Sequence, residues 1–200
     1  MHKRITSMQH EPERFYVPQF ESAEVVEERI GQWTTADLTQ PEWNWCGICC
    51  LAMIARSRGR SEDRATLYAA ATAAGVYRRE GDRVIGALHK EFAAFVTTYF
   101  GWEAESTPIK DGDVLAQHIA ADRFVIASVS PEIRDPRCLP QRSNGHLVLL
   151  YGVTMADGQR WFELHNSTGF ARTNSQKSVL ISEENFMRFY SGRAIIIAGR

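Results

Sequence analysis

"QPEWNWCGICCLAM", residues 40–53, sets three cysteines within five positions behind two tryptophans. Cys46 can be half of a redox pair with Cys49, a metal ligand or an enzyme nucleophile, and each reading implies a different fold. From Cys46 onward, Ile48, Leu51, Ala52, Ile54 and Ala55 keep the i, i+3, i+4 spacing of a helix with one buried stripe. Gly59 is its expected stop. Cys46 therefore opens a buried helix, with Cys49 and Cys50 expected in the core, where free cysteine usually lies.

A redox Cys-x-x-Cys needs a strand feeding directly into its helix. The approach "TTADLTQPEWN" (34–44) is no strand, and the chain has no proline between Pro41 and Pro108 to stand beside the pair. Zinc needs three or four ligands. Cys138 is isolated and no His-x₃₋₅-His occurs, so no metal and no cofactor is expected.

The nucleophile reading asks for more parts and finds them. The attacking species is a thiolate, so the thiol must give up its proton, and a place in the first helical turn helps through the dipole. A histidine must share that proton, and a carboxylate or amide must orient the histidine. His146 follows Gly145 at the start of the apolar run "HLVLLYGV" (146–153), and Asn166 follows the run "RWFELH" (160–165). Gln40, six residues before Cys46, is the candidate side-chain donor to the oxyanion, alongside the Cys46 amide. Trp45, Gly47, Asn144 and Gly145 flank these groups and are the expected substrate-contacting residues. His2, His10, His89 and His118 are given no role.

The chain as a whole sets the setting for this site. Two hundred residues at 44% apolar and 24% charged suit one soluble domain that folds without staples. A net charge of −1 supplies no field to recruit nucleic acid or anionic membrane. No apolar run approaches 18 residues and the first 15 residues lack a secretory h-region, so a cytoplasmic protein with reduced thiols is expected. Residues 1–18 read as a loose leader. Residues 19–200 read as one catalytic domain, with a helical part over about 22–122 and a sheet over about 123–200. Helices expected at 22–33, 46–58, 64–74, 82–101 and 113–122 precede antiparallel strands, an α+β order. The loop 131–145 borders His146, and its Arg134, Arg137 and Arg142 would favour an acidic substrate group.

Gln-x₅-Cys-Gly, Gly-His at a strand start and Asn-Ser-x-Gly together resemble the papain-like cysteine peptidases. "WCGICCLAMI … GHLVLLYGV … FELHNSTG … ENFMRFYSG" is most similar to the bacterial double-glycine leader peptidase branch, which shows "CG..CL.M", then "GH.VV..GY", then a strand carrying Asp or Asn. The likeness runs over residues 16–198. It implies a papain-like fold and a Cys46–His146–Asn166 peptidase acting on a peptide or small amide or ester. A transglutaminase-like or amide-forming acyltransferase would use the same Cys-His pair. A binding or thiol-exchange domain would use neither. The third member stays open, since a two-residue turn at Asp157-Gly158 pairs positions summing to 315 and sets Asn166 about three residues, roughly 10 Å, along the ladder from His146. His165 would then share the face of His146, with Glu163 a further substitute, unless a bulge intervenes.

Overall fold

The computed structural model describes residues 3–6, 8, 11–32, 40–142 and 144–198. His2, His10 and residues 33–39 of the approach to the cysteine helix lie outside them. Among the described residues there are six α-helices: α1 (Ala23–Gly31), α2 (Cys46–Ser57), α3 (Arg64–Ala73), α4 (His89–Phe100), α5 (Gly112–Ala120) and α6 (Glu183–Phe189). Nine strands accompany them: β1 (Lys3–Thr6), β2 (Arg78–Glu80), β3 (Arg83–Ile85), β4 (Ala104–Pro108), β5 (Phe124–Val129), β6 (His146–Ala156), β7 (Gln159–His165), β8 (Val179–Ser182) and β9 (Tyr190–Ile197).

Local chemistry sets the helix ends. The Asp63 carboxylate accepts the Thr66 amide at 2.8 Å to start α3, and Asp111 accepts Asp113 at 2.8 Å to start α5. Gly59 and Gly101, at φ +73° and +72°, turn the chain after α2 and α4 in the left-handed region. The single helix expected over 82–101 is instead a β2–β3 hairpin turned at Gly81-Asp82, followed by α4 from His89. The Gly81-Asp82 turn signal outweighs the apolar spacing of "RVIGAL".

Seven strands form one antiparallel sheet in the order β4-β9-β5-β6-β7-β8, with β1 added along the far half of β6. β4, from the expected helical part, pairs with β9 and extends the sheet. Alternation along the central strands sends side chains into two cores. Leu147, Leu149, Phe124, Ile126, Ile195 and Ile197 meet α2 and α4 on one face. Val148, Leu150, Val125, Ala127 and Ile196 meet α5 and α6 on the other. Helices therefore cover both faces, and only the first face carries the cysteine helix.

The segment read as a loose leader is built into this frame. β1 pairs with β6, and Met8, Tyr16 and Val17 are buried. β1 takes the edge of β6 that is left open where β6 runs past the end of β5. Arg4 also grips the Glu163 carboxylate through two nitrogens, at 2.6 and 2.5 Å.

The β6–β7 register carries the decisive irregularity. From Ala156↔Gln159 to Gly152↔Glu163 the partners sum to 315, as a two-residue turn requires. Beyond that point Leu150 faces Leu164 and Leu149 faces His165, a sum of 314. Tyr151 is the extra residue of a bulge. It rephases the far end of the hairpin by one position, which turns Asn166 to the side of His146.

Candidate functional site

α2 presses its first turn onto β6. Gly47 permits this approach: a Cβ there would stand 2.9 Å from Leu147 Cδ1 and 3.2 Å from Phe92. Gly47 is buried and does not line the cleft, so its part is packing rather than the substrate contact expected of it. Trp45, also expected to contact substrate, turns the other way. Its ring lies 6.0 Å from Tyr68 on α3 with the Arg64 guanidinium 5.5 Å above it. Asn144 and Gly145 do border the cleft, together with Cys46 and His146. Gly145 sits at φ +112°, a conformation that side chains rarely take.

His146 opens β6 and is buried. Its Nε2 lies 2.7 Å from Asn166 Oδ1 and 3.1 Å from Thr168 Oγ1. The same Asn166 atom receives the Thr168 backbone N–H at 3.1 Å. A backbone amide only donates, so the receiving atom is the carbonyl oxygen and the Asn166 amide orientation is fixed. Nε2 must then carry the imidazole proton, which leaves Nδ1 as the basic nitrogen.

The loop holding Asn166 is itself clamped. The Asn166 backbone N–H donates to the Gln176 carbonyl at 2.8 Å, and the Gln19 backbone N–H donates to the Ser167 carbonyl at 2.9 Å. The Tyr16 hydroxyl donates to the Asn166 carbonyl at 3.3 Å, and Arg134 Nε donates to Thr168 Oγ1 at 2.9 Å. Gly169 lets the loop close: a Cβ there would lie 1.8 Å from the Ser175 carbonyl oxygen. Gly169→Ala must push that backbone aside and is expected to cost about 1–3 kcal/mol. Urea denaturation measures this, and an unchanged midpoint would show that the loop yields freely.

The two substitutes for Asn166 face elsewhere. Glu163 is held by Arg4 and by the Thr154 hydroxyl at 3.0 Å. His165 is buried on the α2 side, where Nε2 donates to the Pro12 carbonyl at 2.9 Å and Nδ1 accepts the Ser178 amide at 3.1 Å. Both of its nitrogens are satisfied in the neutral form.

Gln40 does not reach the cleft. It is exposed at the start of the 3₁₀ turn Pro41–Asn44, its carbonyl accepting the Trp43 amide at 3.2 Å and its side chain making no capping bond. Pro41 fixes that turn and carries the side chain outward. The donors present are backbone amides: Cys46, Gly47 and Ile48 occupy the first turn of α2, where amides lack intrahelical acceptors.

Burial pushes the Cys46 thiol up from its ordinary range, against the Leu147, Gly47 and Cys46 amides and the charge of Arg134, which pull it down. Burial and Arg134 push His146 down to about 3, partly opposed by its bond to Asn166. At rest a neutral thiol and a neutral imidazole line the same cleft. Desolvation outweighs the helix-start effect expected from the sequence.

Cys46 and His146 share a cavity of ≈ 410 Å³, whose other walls come from residues 86–89 of the hairpin and α4 and from residues 106–108 of β4. His89, given no role by its helical spacing, is half-buried in that wall. Sequence reasoning also missed Thr168 and the support it receives from Arg134. An Asn-x-Thr turn was legible in "NSTG", but nothing local tied it to Arg134. Arg134 is thereby committed to the loop, and Arg137 is paired with Asp135 at 2.7 Å, so neither is free for a substrate group. Cys49 and Cys50 are buried and Cys138 is exposed, and all four cysteines are unpaired. Among the described residues no three His, Cys, Asp or Glu side chains cluster as a metal requires, and no helix is long and apolar enough to cross a membrane.

The model of the "Peptidase_C39 like family" matches residues 28–192. Three solved structures share the fold. The peptidase domain of Streptococcus ComA, a bifunctional ABC transporter of a quorum-sensing pathway, is 16% identical at a TM-score of 0.50, over 78% of this chain and 93% of that one. A protein described as a C39-like peptidase from Bacillus anthracis is 16% identical at 0.54, over 78% and 90%. Digestive procathepsin L 3 of the Tenebrio molitor larval midgut is 12% identical at 0.53, over 96% and 77%. No match was found among curated proteins. The architecture is papain-like, with the cysteine helix on one face of an antiparallel sheet.

Proposed function

Because this chain belongs to the Peptidase_C39 like family of cysteine peptidases, we propose that Cys46, His146 and Asn166 cut amide bonds through an acyl-enzyme. The observation that carries this reading is the fixed Asn166 oxygen on His146 Nε2, which frees Nδ1 for the proton of a thiol lining the same cavity. The Cys46 proton moves to Nδ1 as Sγ attacks the substrate carbonyl carbon. First-turn amides of α2 meet the oxyanion. Collapse of the tetrahedral intermediate breaks the C–N bond, and the Nδ1 proton goes to the departing amine. Water, deprotonated by the same nitrogen, then releases the acid. An amine in place of water would make the enzyme an acyltransferase, so the assay panel includes added amines. Four unpaired cysteines suit a reducing compartment such as the cytoplasm.

Iodoacetamide tests the pairing. Between the His146 and Cys46 titrations the small ion-pair population does not vary with pH, so the wild-type alkylation rate is expected to be flat from about pH 5 to 8. In His146→Ala the rate should rise nearly tenfold per pH unit, as for an isolated thiol. Identical pH profiles in the two proteins would end the proposal. Cys46→Ser identifies the alkylated sulfur.

A further inference from the structure

The face of the sheet that carries α2 changes character at one level. On β9, Ile197 and Ile195 point into the core, and the next residue on that face is Arg193. On β5, Phe124 and Ile126 do the same, and the next is Ser128. On β4, Ser106 and Pro108 lie opposite Ile195 and Arg193. Alternation would set apolar side chains at all these places. Instead Arg193, Ser128, Ser106 and Thr107 line the cavity that holds Cys46 and His146.

Arg193 stands two strands from β6, so its Cα is roughly 10 Å from the Leu147 backbone that touches Cys46. An arginine side chain spans most of that gap. No carboxylate lines the cavity, and no carboxylate among the described residues pairs with Arg193. The neighbouring His89 is held below its ordinary range by burial and by Arg193, so it stands beside the guanidinium as a neutral ring. Arg142, near the opposite lip at Gly145, acts on both Glu132 and His146 but does not line the cavity. Arg193 is thus the arginine that lines the cleft, and among the described residues no ion pair holds it. A guanidinium in a concave wall beside three hydroxyls recognises a carboxylate by charge-assisted hydrogen bonds.

We infer that Arg193 is a specificity residue that selects substrates carrying a carboxylate, from an acidic side chain or a chain end, within one residue of the reacting carbonyl. This rests on Cys46 being the nucleophile and names the substrate class of that same site.

Paired alkylating probes test it at low ionic strength. N-Bromoacetylglycine and N-bromoacetylglycinamide differ only in the charged end, and mass spectrometry follows their attachment to Cys46. Wild-type protein should react about tenfold faster with the acid, the size of one charge-assisted hydrogen bond. Arg193→Gln should bring the ratio close to one, Arg193→Lys should keep part of it, and Arg142→Gln, which removes a charge acting across the cleft without lining it, should keep most of it. An equal rate for both probes in the wild type overturns the inference. So does an undiminished ratio in Arg193→Gln. If Cys46 reacts with neither probe, the nucleophile assignment fails while the arginine is still judged by NMR titration of Cys46→Ala. Tighter binding of N-acetylglycine than of N-acetylglycinamide, lost in Cys46→Ala/Arg193→Gln, supports the arginine's role; equal binding overturns it.

Discussion

His146→Ala is expected to lower kcat/KM for amide hydrolysis by about 10³–10⁴-fold, the full range that one positioned acid–base group supplies. The loss is large because the thiol starts protonated. Burial raises its pKa, and no other base lines the cavity in a position to take the proton except His89 across the wall. The same substitution removes the proton donor to the departing amine, so both halves of the cycle suffer. The residual activity should climb with pH as the unaided thiol ionises, whereas the wild-type profile stays level. Asn166→Ala is milder, at roughly 10–100-fold, because it deletes one hydrogen bond to an imidazole that charges in the transition state. Hydrolysis by His146→Ala within tenfold of wild type would remove the histidine from the chemistry.

Acid should unfold this protein early. His146 and His165 are pushed down to about 3 and about 4, while the unfolded chain titrates near 6.5. Below pH 6.5 the unfolded state therefore binds protons that the folded state refuses. Stability falls as pH drops through the interval between the unfolded and folded values. At pH 5 each histidine accounts for about 2 kcal/mol of that loss relative to pH 7.5, so the pair removes about 4 kcal/mol from a domain whose kind usually holds 5–15. His165 has a clear structural cause: a proton on Nδ1 would face the Ser178 amide, donor against donor. Urea unfolding at pH 7.5, 6 and 5 reads the slope. His146→Gln, which cannot charge, should halve it. A free energy constant from pH 7.5 to 5 would mean that both rings take up protons freely in the folded state.

The sequence made part of this site legible. The apolar stripe from Ile48 to Ala55 placed Cys46 at a helix start, and Gly145-His146 before an apolar run marked a strand opening beside it. These are local patterns, set by period and turn chemistry. Asn166 was readable as a residue but not as a neighbour of His146, because its approach depends on a bulge at Tyr151. A tyrosine in an extended run carries no mark that the pairing will skip it. Gln40 failed for a related reason: spacing along the chain says nothing of the direction in which a proline-led turn sends a side chain. Gly47 and Trp45 were read as lining because they flank the cysteine, yet a helix sends successive residues to different sides. His89 and Arg193 reach the cleft from elements 43 and 147 positions away (89 − 46 and 193 − 46). Only tertiary packing brings such residues together.

The bulge also fixes how the hairpin tolerates length change. Removing one residue from β6 at position 151 would absorb the bulge and leave Leu150 opposite Leu164, with the amide at 166 still beside His146; pairing Tyr151 with Leu164 instead would carry the turn's own register to the strand's start and bring the imidazole at 165 toward that place. Which side chain meets His146 is therefore set by the register at Tyr151 rather than by any single side chain. Hairpins of the same length that ran without the bulge would bring a different neighbour to the histidine while every local motif still read the same.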